Sequence, residues 1–338
     1  MLPEVSVLMP VYNADAYLEQ ALNSIQNQTF ADLEILVWND GSTDRSADIL
    51  NAAATSDSRI RVLGTSTNQG IVAALNGLLT EARAPLLARM DADDSMHPQR
   101  IEKQVALLKQ HPQCGLVSCL VEHGGNSVLQ KGYAEHIAWL NTLRTPEEIQ
   151  LNRFVESPLA HPSVMFRAEL IRQLGGYSKG DFPEDYELWL RWLSAGVEMR
   201  KVEETLLLWN DPPNRVSRTS PYCSPEAFSR IKAVYLAKEI NRIAQSRQIW
   251  LCGAGRITRK RSNYLLQQGI SIAGYIDVNP AMSGKTAGGF PVIAPQEIPS
   301  PESCVVISYI TNRGARTEIA RMLEEKGFAN GKDYILAG

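Results

Sequence analysis

The stretch ARMDADDSM places aspartates at positions 91, 93 and 94, directly after an apolar run. Carboxylates crowded in this way repel one another unless a cation or hydrogen-bond donors balance their charge. Asp91 and Asp93 stand on alternate residues, so in an extended segment their side chains share a face. Mg²⁺ and Mn²⁺ favour such oxygen ligands, often beside substrate phosphates. The competing interpretation is that Asp94 or Ser95 caps a helix beginning near His97.

A second candidate is the stretch NDGSTD at residues 39–44. Asp40 and Gly41 suit a tight turn, and Ser42 or Thr43 suits the N-cap of the helix that follows. The functional alternative is that Asp40 accepts hydrogen bonds from a nucleobase or a ribose at the edge of the sheet. The residue types alone leave both interpretations open.

A third candidate is the pair Glu184 and Asp185, just before the helical pattern YELWLRWLSAG. Acidic residues in the first turn of a helix complement its dipole, which is the structural interpretation. A carboxylate at a rigid helix start is also well placed to act as a general base. The sequence by itself does not decide between the two.

The first two candidates follow predicted strands, which alternate with helices along the first part of the chain. Apolar runs predict strands at 5–10, 33–38, 60–63, 85–89 and 114–120, and helical periodicity predicts helices at 14–28, 69–82 and 97–111. This alternation is typical of an α/β fold with a mainly parallel central sheet. Ligands in such folds bind at the carboxyl ends of the strands, and residues 10–13, 39–41 and 91–93 all fall at such ends.

A linking helix is predicted in the stretch SPEAFSRIKAVYLAKEI, and a second α/β pattern follows it. Gly253 and Gly255 lie between a predicted strand and a helix, and Asp277 ends the next strand, as in a Rossmann turn. Thr258 occupies the third glycine position, so the fingerprint is incomplete. Dinucleotide binding and a structural or docking role both fit this smaller Rossmann-like domain.

The composition is that of an ordinary globular protein. The chain has 338 residues with a net charge of −3, which argues against bulk binding to nucleic acid. The N-terminal residues lack the features of a signal peptide, and no apolar run reaches the ~18 residues of a membrane span. The five cysteines have no zinc-type spacing and suggest reduced thiols. We therefore expect a cytoplasmic protein.

The order of the motifs resembles the family-2 glycosyltransferases of the GT-A fold. The resemblance rests on VSVLMPVYNADAYLEQALNSIQNQTF, EILVWNDGSTDRSADIL, NQGIVAALNGLL, LLARMDADD, HPSVMFR and GGYSKGDFPEDYELWLRW, which occur in this sequence order. It implies a GT-A nucleotide-sugar-binding domain at residues 1–221. The linking helix at 222–246 and the smaller Rossmann-like domain at 247–338 would follow it.

The resemblance also implies roles for individual residues. Asp185 matches the catalytic base, Asp93 matches the metal ligand, and Asp91 matches a residue that serves both metal and ribose-diphosphate. The remaining positions that match nucleotide-contacting sites are Pro10, Tyr12, Asn13, Asp40, Asn68, Gly70 and Arg89. A histidine near Pro212 that relatives use at the diphosphate is missing, and Asp211, Arg215 and Arg218 are candidates for part of that role. His161 is either a lining residue of the acceptor site or a hydrogen-bonded loop histidine.

The implied activity is metal-dependent, inverting transfer of a sugar from a nucleotide sugar to an acceptor hydroxyl. Mg²⁺ or Mn²⁺ is the expected cofactor, a UDP-sugar the expected donor, and a glycan or lipid-linked molecule in surface polysaccharide or glycolipid synthesis the expected acceptor. Peripheral association with the inner face of a membrane stays open, as does the oligomeric state. The alternatives are an NAD(P)-binding oxidoreductase centred on the C-terminal domain and a non-catalytic nucleotide-sugar binder.

Overall fold

A computed structural model describes residues 2–212 and 220–338. The contacts within the chain divide it into two compact units. The first unit comprises Met1–Ile149, Pro158–Gly180 and Arg191–Ser220, and the second comprises Gln150–Ser157, Asp181–Leu190 and Pro221–Gly338. Two segments that precede residue 221 therefore pack with the C-terminal part of the chain. The sequence-based domain bounds at 221 and 246 stay a prediction.

One mixed sheet forms the framework of the first unit. Its strands are β1 (Val5–Val11), β2 (Leu33–Asp40), β3 (Ile60–Thr65), β4 (Leu86–Arg89), β5 (Ser95–Met96), β6 (Cys114–His123), β7 (Met165–Arg167) and β8 (Glu198–Trp209). They are ordered β3-β2-β1-β4-β7-β6-β8-β5. The helices in this part of the chain are α1 (Leu18–Gln26), α2 (Ser46–Ser56), α3 (Ile71–Glu81), α4 (Arg100–Gln110), α5 (Lys131–Leu140), α6 (Pro146–Asn152), α7 (Ala168–Leu174) and α8 (Glu184–Ser194). Residues 150–152 of α6 and 184–190 of α8 belong to the second unit.

The pairing of these strands confirms the α/β class. β1 pairs in parallel with β2 and β4, β2 with β3, and β6 with β8. The antiparallel pairings involve the short strands β5 and β7. Because β1, β2 and β4 run in the same direction, the residues that follow them meet at one edge of the sheet.

Burial explains why these segments form. All seven residues of β1 are buried, as expected for a strand covered on both faces. Leu18, Ala21, Leu22 and Ile25 of α1 are buried at helical spacing and join the core of the same sheet. The apolar patterns in the first 120 residues therefore predict the elements well.

Two sequence-based cap assignments are wrong. The helix α4 begins at Arg100, its N-cap is Gln99, and no side chain caps it. Ser95 instead begins the short strand β5, so neither Asp94 nor Ser95 is a helix cap. The N-cap of α2 is Arg45, again without a side-chain cap, so Ser42 and Thr43 serve another purpose.

The second unit contains a smaller sheet. Its strands are β9 (Gln248–Cys252), β10 (Gly274–Ile276), β11 (Thr286–Ala287), β12 (Phe290–Ile293), β13 (Cys304–Ser308) and β14 (Tyr334–Leu336), in the order β11-β12-β10-β9-β13-β14. All pairings except β11 with β12 are parallel. Its other helices are α9 (Pro225–Ala244), α10 (Arg256–Gln267) and α11 (Arg313–Glu325).

The predicted linking helix corresponds to α9. The Ser224 hydroxyl accepts a hydrogen bond from the Ala227 N–H at 3.2 Å, and Pro225 occupies the first helical position. Both features favour a helix start at this point. Within the described ranges, no helix combines the length and apolar character that crossing a membrane requires.

Candidate functional site

The loops that follow β1 and β2 hold each other in place. Ser42 Oγ accepts the Asn13 N–H at 3.0 Å, and Asn13 Oδ1 accepts the Thr43 N–H at 2.8 Å. Asn13 has a φ of 49°, a left-handed conformation that asparagine tolerates better than most residues. Asn39 Oδ1 accepts the Ser42 N–H at 3.0 Å, so this amide supports the turn. The paired loops leave the Tyr12 side chain 50% exposed.

Pro10 lies inside β1 rather than in the loop. It pairs with Trp38 of β2, but the pairing of β1 with β4 ends at Leu8 and Arg89. A proline is tolerated there because the strand has no further partner on that side. The residue therefore shapes the end of β1 from within the sheet.

Asp40 is buried at the end of β2 and organises the next loop. Its Oδ1 accepts the Gln69 N–H at 2.9 Å and the Thr65 hydroxyl at 3.1 Å, and its Oδ2 accepts the Gly70 N–H at 2.8 Å. Gly70 has a φ of 87°, which favours glycine. This carboxylate fixes the loop that carries Asn68, whose side chain is exposed.

The three aspartates after β4 converge. One carboxylate oxygen from each of Asp91, Asp93 and Asp94 lies within 4.8 Å of the others. Asp94 is only 1% exposed, whereas the Asp91 side chain is 28% exposed. Three hard oxygen donors at this separation suit Mg²⁺ or Mn²⁺ better than softer metals.

Arg89, which is close to the cluster in sequence, and the distant Asn210 both bond this cluster. Arg89 Nη2 donates to Asp91 Oδ1 at 2.5 Å, and the arginine is almost completely buried. The Asn210 N–H donates to Asp94 Oδ1 at 2.8 Å, and Asn210 Nδ2 donates to the Asp93 carbonyl at 2.6 Å. Sequence reasoning did not assign Asp94 or Asn210 to the site, although Asn210 directly follows the last long strand of the sheet.

A buried hydrogen-bond chain holds Arg89. Arg89 Nε donates to His161 Nε2 at 3.3 Å, and the Tyr177 hydroxyl lies 2.7 Å from the same nitrogen. Because Arg89 can only donate, His161 Nε2 accepts and the tyrosine hydroxyl donates to it. The Asn76 amide in turn bonds both the N–H and the carbonyl of Tyr177, at 3.0 and 2.9 Å. We call Asn76, Tyr177, His161 and Arg89 the arginine-anchoring chain.

The arginine-anchoring chain requires a neutral histidine. Burial lowers the pKa of His161 well below its usual value, and the neighbouring Arg89 charge lowers it further. The interpretation of His161 as a hydrogen-bonded loop histidine therefore fits the structure. A second buried arginine, Arg100, donates to the Arg89 carbonyl at 2.9 Å. Burial lowers the pKa of Arg100, while nearby acidic groups including Asp94 oppose that shift.

Asp185 lies in the first turn of α8 and belongs to the second unit. Its Oδ1 accepts the N–H of Tyr186 at 2.7 Å, and the residue is half-buried. This bond helps to fix the orientation of the carboxylate at the start of the helix. Of the residues proposed for the diphosphate, Asp211 is buried with its Oδ2 3.9 Å from His123 Nε2. Arg215 and Arg218 lie outside the described residues.

The glycine turn of the second unit has the geometry of a strand-to-helix turn. Gly253 has a φ of 91°, and Gly255 is the N-cap of α10. Asp277 Oδ2 accepts the Ala254 N–H at 2.7 Å, so this carboxylate supports the turn. Thr258 is buried against the turn, where a side chain on Gly253 would meet its hydroxyl at 2.9 Å. Dinucleotide binding at this turn and a structural or docking role both stay open as hypotheses.

Comparison with known proteins establishes the class. The sequence profile of the family described as "Glycosyl transferase family 2" matches residues 6–175, which contain β1 to β4 and the aspartate cluster. The protein is thus a glycosyltransferase. The chain belongs to glycosyl transferase family 2.

Two relatives illustrate the match. The putative glycosyltransferase EpsE of Bacillus subtilis (strain 168) is 30% identical over 222 residues, which are 64% of this chain and 77% of EpsE. The O-antigen biosynthesis glycosyltransferase WbnJ of Escherichia coli is 31% identical over 203 residues, 59% of this chain and 76% of WbnJ. Both alignments cover about three quarters of the relative.

Solved structures share the GT-A fold. One is the crystal structure of S. aureus TarS, residues 1–349, in complex with UDP-GlcNAc. It has a TM-score of 0.54 at 18% identity, and the match covers 78% of this chain and 71% of the TarS chain. The mannosyltransferase PcManGT from Pyrobaculum calidifontis, in complex with GDP-Man and Mn²⁺, has a TM-score of 0.51 at 19% identity, covering 73% and 66%. These likenesses establish the fold of the chain.

Proposed function

We propose that the protein is a metal-dependent, inverting glycosyltransferase that uses a nucleotide sugar, with a UDP-sugar as the expected donor. The observation that supports this most is the convergence of the three aspartates, one oxygen each within 4.8 Å, at the carboxyl edge of a GT-A sheet. TarS and PcManGT share this fold, and their solved structures are complexes with UDP-GlcNAc and with GDP-Man and Mn²⁺, respectively.

The residues present fit a divalent cation. Asp93 and Asp91 are the proposed ligands, and the buried Asp94 extends the same set of carboxylates. Because Arg89 engages one oxygen of Asp91, we assign the stronger interaction with the cation to Asp93. A bound Mg²⁺ or Mn²⁺ would stabilise negative charge on the diphosphate leaving group. Without a cation, the donor's phosphates would meet only the repulsion of these carboxylates.

The donor nucleotide would be held by the loops around the sheet edge. Tyr12 is exposed beside Asn13, and Asp40 fixes the loop of Asn68 and Gly70. We propose that these loops contact the nucleobase and the ribose. The bonds of Asp40 to the loop define its shape before the donor arrives, which lowers the ordering cost of binding.

Asp185 is the proposed general base. It would take the proton from the acceptor hydroxyl as the oxygen forms a bond to the anomeric carbon. The bond from that carbon to the diphosphate oxygen breaks in the same displacement, and the nucleoside diphosphate leaves with the electron pair. A single displacement from the opposite face inverts the anomeric centre.

We propose a glycan or lipid-linked acceptor in polysaccharide or glycolipid synthesis, reached from the cytoplasm at the inner face of a membrane. The names of WbnJ and of the amylovoran biosynthesis glycosyltransferase AmsE of Erwinia amylovora, 30% identical over 211 residues, support a polysaccharide product. The family match favours this activity over an oxidoreductase centred on the C-terminal unit.

Calorimetric titration with UDP-, GDP- and dTDP-sugars, in Mn²⁺ and in chelator, tests the proposal. We expect one donor to bind only with Mn²⁺ and the Asp93→Ala variant to lose that dependence. Asp185→Asn should keep donor binding but lose nearly all transfer, since a general base contributes about 10²- to 10⁴-fold. Unchanged turnover in Asp185→Asn would remove it as the base, and metal-independent binding in both proteins would remove the cation site.

A further inference from the structure

One face of α9 contacts residues 150–157 and 181–190, the two segments of the second unit that precede residue 221. We refer to the second unit as the C-terminal unit. Phe228, Lys232, Tyr235 and Glu239 are spaced four, three and four residues apart, which places them on one stripe of the helix. We call these four residues the α9 stripe. Each of them contacts the segment 150–157 or the segment 181–190, and the second of these segments carries Asp185.

The shortest polar contact of the stripe with these segments lies two residues after Asp185. The Tyr235 hydroxyl donates to Glu187 Oε1 at 2.5 Å, and both side chains are buried. A hydroxyl that donates to a carboxylate oxygen at this distance makes a short hydrogen bond, here between two buried side chains. It fixes the first turn of α8 on α9.

Tyr186, the residue next to Asp185, is anchored from two sides. Its ring is fully buried with its centroid 5.3 Å from that of Phe228, and its hydroxyl donates to the Arg153 carbonyl at 2.7 Å. The Arg153 guanidinium is bound by Glu239 at 3.1 Å. The α9 stripe therefore holds Tyr186 both directly and through Arg153.

Lys232 extends the same arrangement to the last residues of the chain. Its buried ammonium donates to the carbonyls of Val155 and Ala337, both at 3.0 Å. The apolar core around it joins Phe154 and Tyr186 to residues of the smaller sheet, including Ile335. The segment that carries Asp185 is consequently part of the hydrophobic core of the C-terminal unit.

We infer that the C-terminal unit positions the catalytic base, with Tyr235 and Glu239 of the α9 stripe as positioning residues for Asp185. This inference rests on the proposed role of Asp185. It gives the C-terminal unit a part in glycosyl transfer that needs no ligand of its own. Misplacing a catalytic group by about 1 Å lowers the reaction rate on the order of 10²-fold. A small displacement of Asp185 is therefore measurable as a fall in kcat.

The test compares Tyr235→Phe and Glu239→Gln with Tyr334→Phe in the full chain. Tyr334 is a matched control because its hydroxyl donates to Glu324 at 2.8 Å in the same unit, and neither residue lies in the two segments. The probes are UDP-glucose, UDP-N-acetylglucosamine and GDP-mannose, with water as acceptor and nucleoside diphosphate release as the rate. Calorimetry with UDP and Mn²⁺ reports donor-site affinity, and thermal unfolding reports stability.

We expect kcat to fall about 10- to 100-fold in Tyr235→Phe and Glu239→Gln, with UDP affinity unchanged. Tyr334→Phe should lose comparable stability and keep its kcat. Wild-type kcat in both stripe variants, while Asp185→Asn is inactive, would overturn the inference. An equal loss of kcat in Tyr334→Phe would also overturn it, since a general loss of stability would then explain the effect. An active Asp185→Asn variant would instead overturn the proposed base.

Discussion

The Asn210 N–H donates to Asp94 Oδ1 at 2.8 Å, joining residues 116 positions apart in the sequence. The same asparagine bonds the Asp93 carbonyl through its side chain, at 2.6 Å. Asn210 thus holds two of the three clustered aspartates from the end of β8. The geometry of the proposed cation site depends on a residue that the acidic motif does not contain.

Asn210→Ala should weaken Mn²⁺ binding while the protein stays folded. The backbone bond to Asp94 survives, but the Asp93 carbonyl loses its side-chain donor, which costs about 0.5–1.5 kcal/mol. Titration of free Mn²⁺, followed by its electron paramagnetic resonance signal, measures the change directly. Asn210→Asp is the companion variant, because an added carboxylate next to Asp93 would repel its carbonyl. Equal Mn²⁺ affinity in all three proteins would contradict a role for Asn210.

The arginine-anchoring chain predicts a difference between two substitutions at His161. His161→Gln retains a carbonyl oxygen that can accept from Arg89, whereas His161→Met does not. We expect His161→Met to lower Mn²⁺-dependent UDP affinity about tenfold, because the partner of Asp91 is no longer held, and His161→Gln to recover most of it. Calorimetry measures both. Similar affinities in the two variants would show that the histidine acts only through packing.

Asp40→Asn should disturb the loop of residues 65–70. The carboxylate accepts N–H bonds from Gln69 and Gly70, and an amide nitrogen in place of one oxygen cannot accept. A buried N–H left without an acceptor costs about 1–3 kcal/mol, which denaturant unfolding can resolve. Asn39→Asp is the control, since a carboxylate still accepts the Ser42 N–H. A wild-type free energy of unfolding for Asp40→Asn would contradict the assignment.

Lys201 predicts a pH dependence of stability. Burial lowers its pKa from 10.5 to about 7, and its ammonium donates to the Leu140 carbonyl at 2.6 Å. Between pH 7 and 10.5 the unfolded chain binds more protons at this residue than the folded chain, so its contribution to stability rises with pH. The slope approaches about 1.4 kcal/mol per pH unit. The difference in unfolding free energy between wild type and Lys201→Met should grow with pH through that window, and a constant difference would contradict the lowered pKa.

Two glycines in the second unit should respond differently to substitution. A Cβ on Gly253 would lie 2.9 Å from Ile310 and from Thr258, at a φ of 91°, so Gly253→Ala should destabilise the protein by about 1–2 kcal/mol. Gly255 has an ordinary φ of −67° and no heavy atom within 4 Å of a built Cβ, so Gly255→Ala should be neutral. Thermal unfolding compares them. Glycosyl transfer should be unaffected by Gly255→Val as well, and its loss would indicate that the turn contributes to the reaction.

The sequence predicts the strands and helices of the first 120 residues because their apolar periodicity is strong and local. It also predicts the polar residues at the edge of the sheet, because each of them follows a strand that an apolar run identifies. β7 has only three residues, and β8 (Glu198–Trp209) carries several charged side chains, so neither has a clear pattern. The sequence did not predict that Asn210 bonds the aspartates or that His161 and Tyr177 hold Arg89, because these residues lie far from residues 89–94 in the sequence.

The sequence also did not predict that residues 150–157 and 181–190 belong to the second unit. Tyr186 and Leu190 are apolar at helical spacing, as any core helix requires, and periodicity does not reveal which core they join. The contacts of Tyr235 with Glu187 and of Glu239 with Arg153 connect segments about 50 to 90 residues apart. Such pairings follow from the tertiary fold, which local propensity does not encode.

The long reach of the Asn210 bonds has a consequence for synthesis on the ribosome. The aspartates emerge well before His161 and Tyr177, which hold Arg89, and Asn210 emerges later still, so the nascent sheet carries the carboxylates before Arg89 is anchored and before Asn210 can bond them. Contacts this distant in sequence form slowly, because the intervening chain must first be ordered. The cation site is therefore expected to be among the last parts of the first unit to mature, after the strands that frame it have already paired.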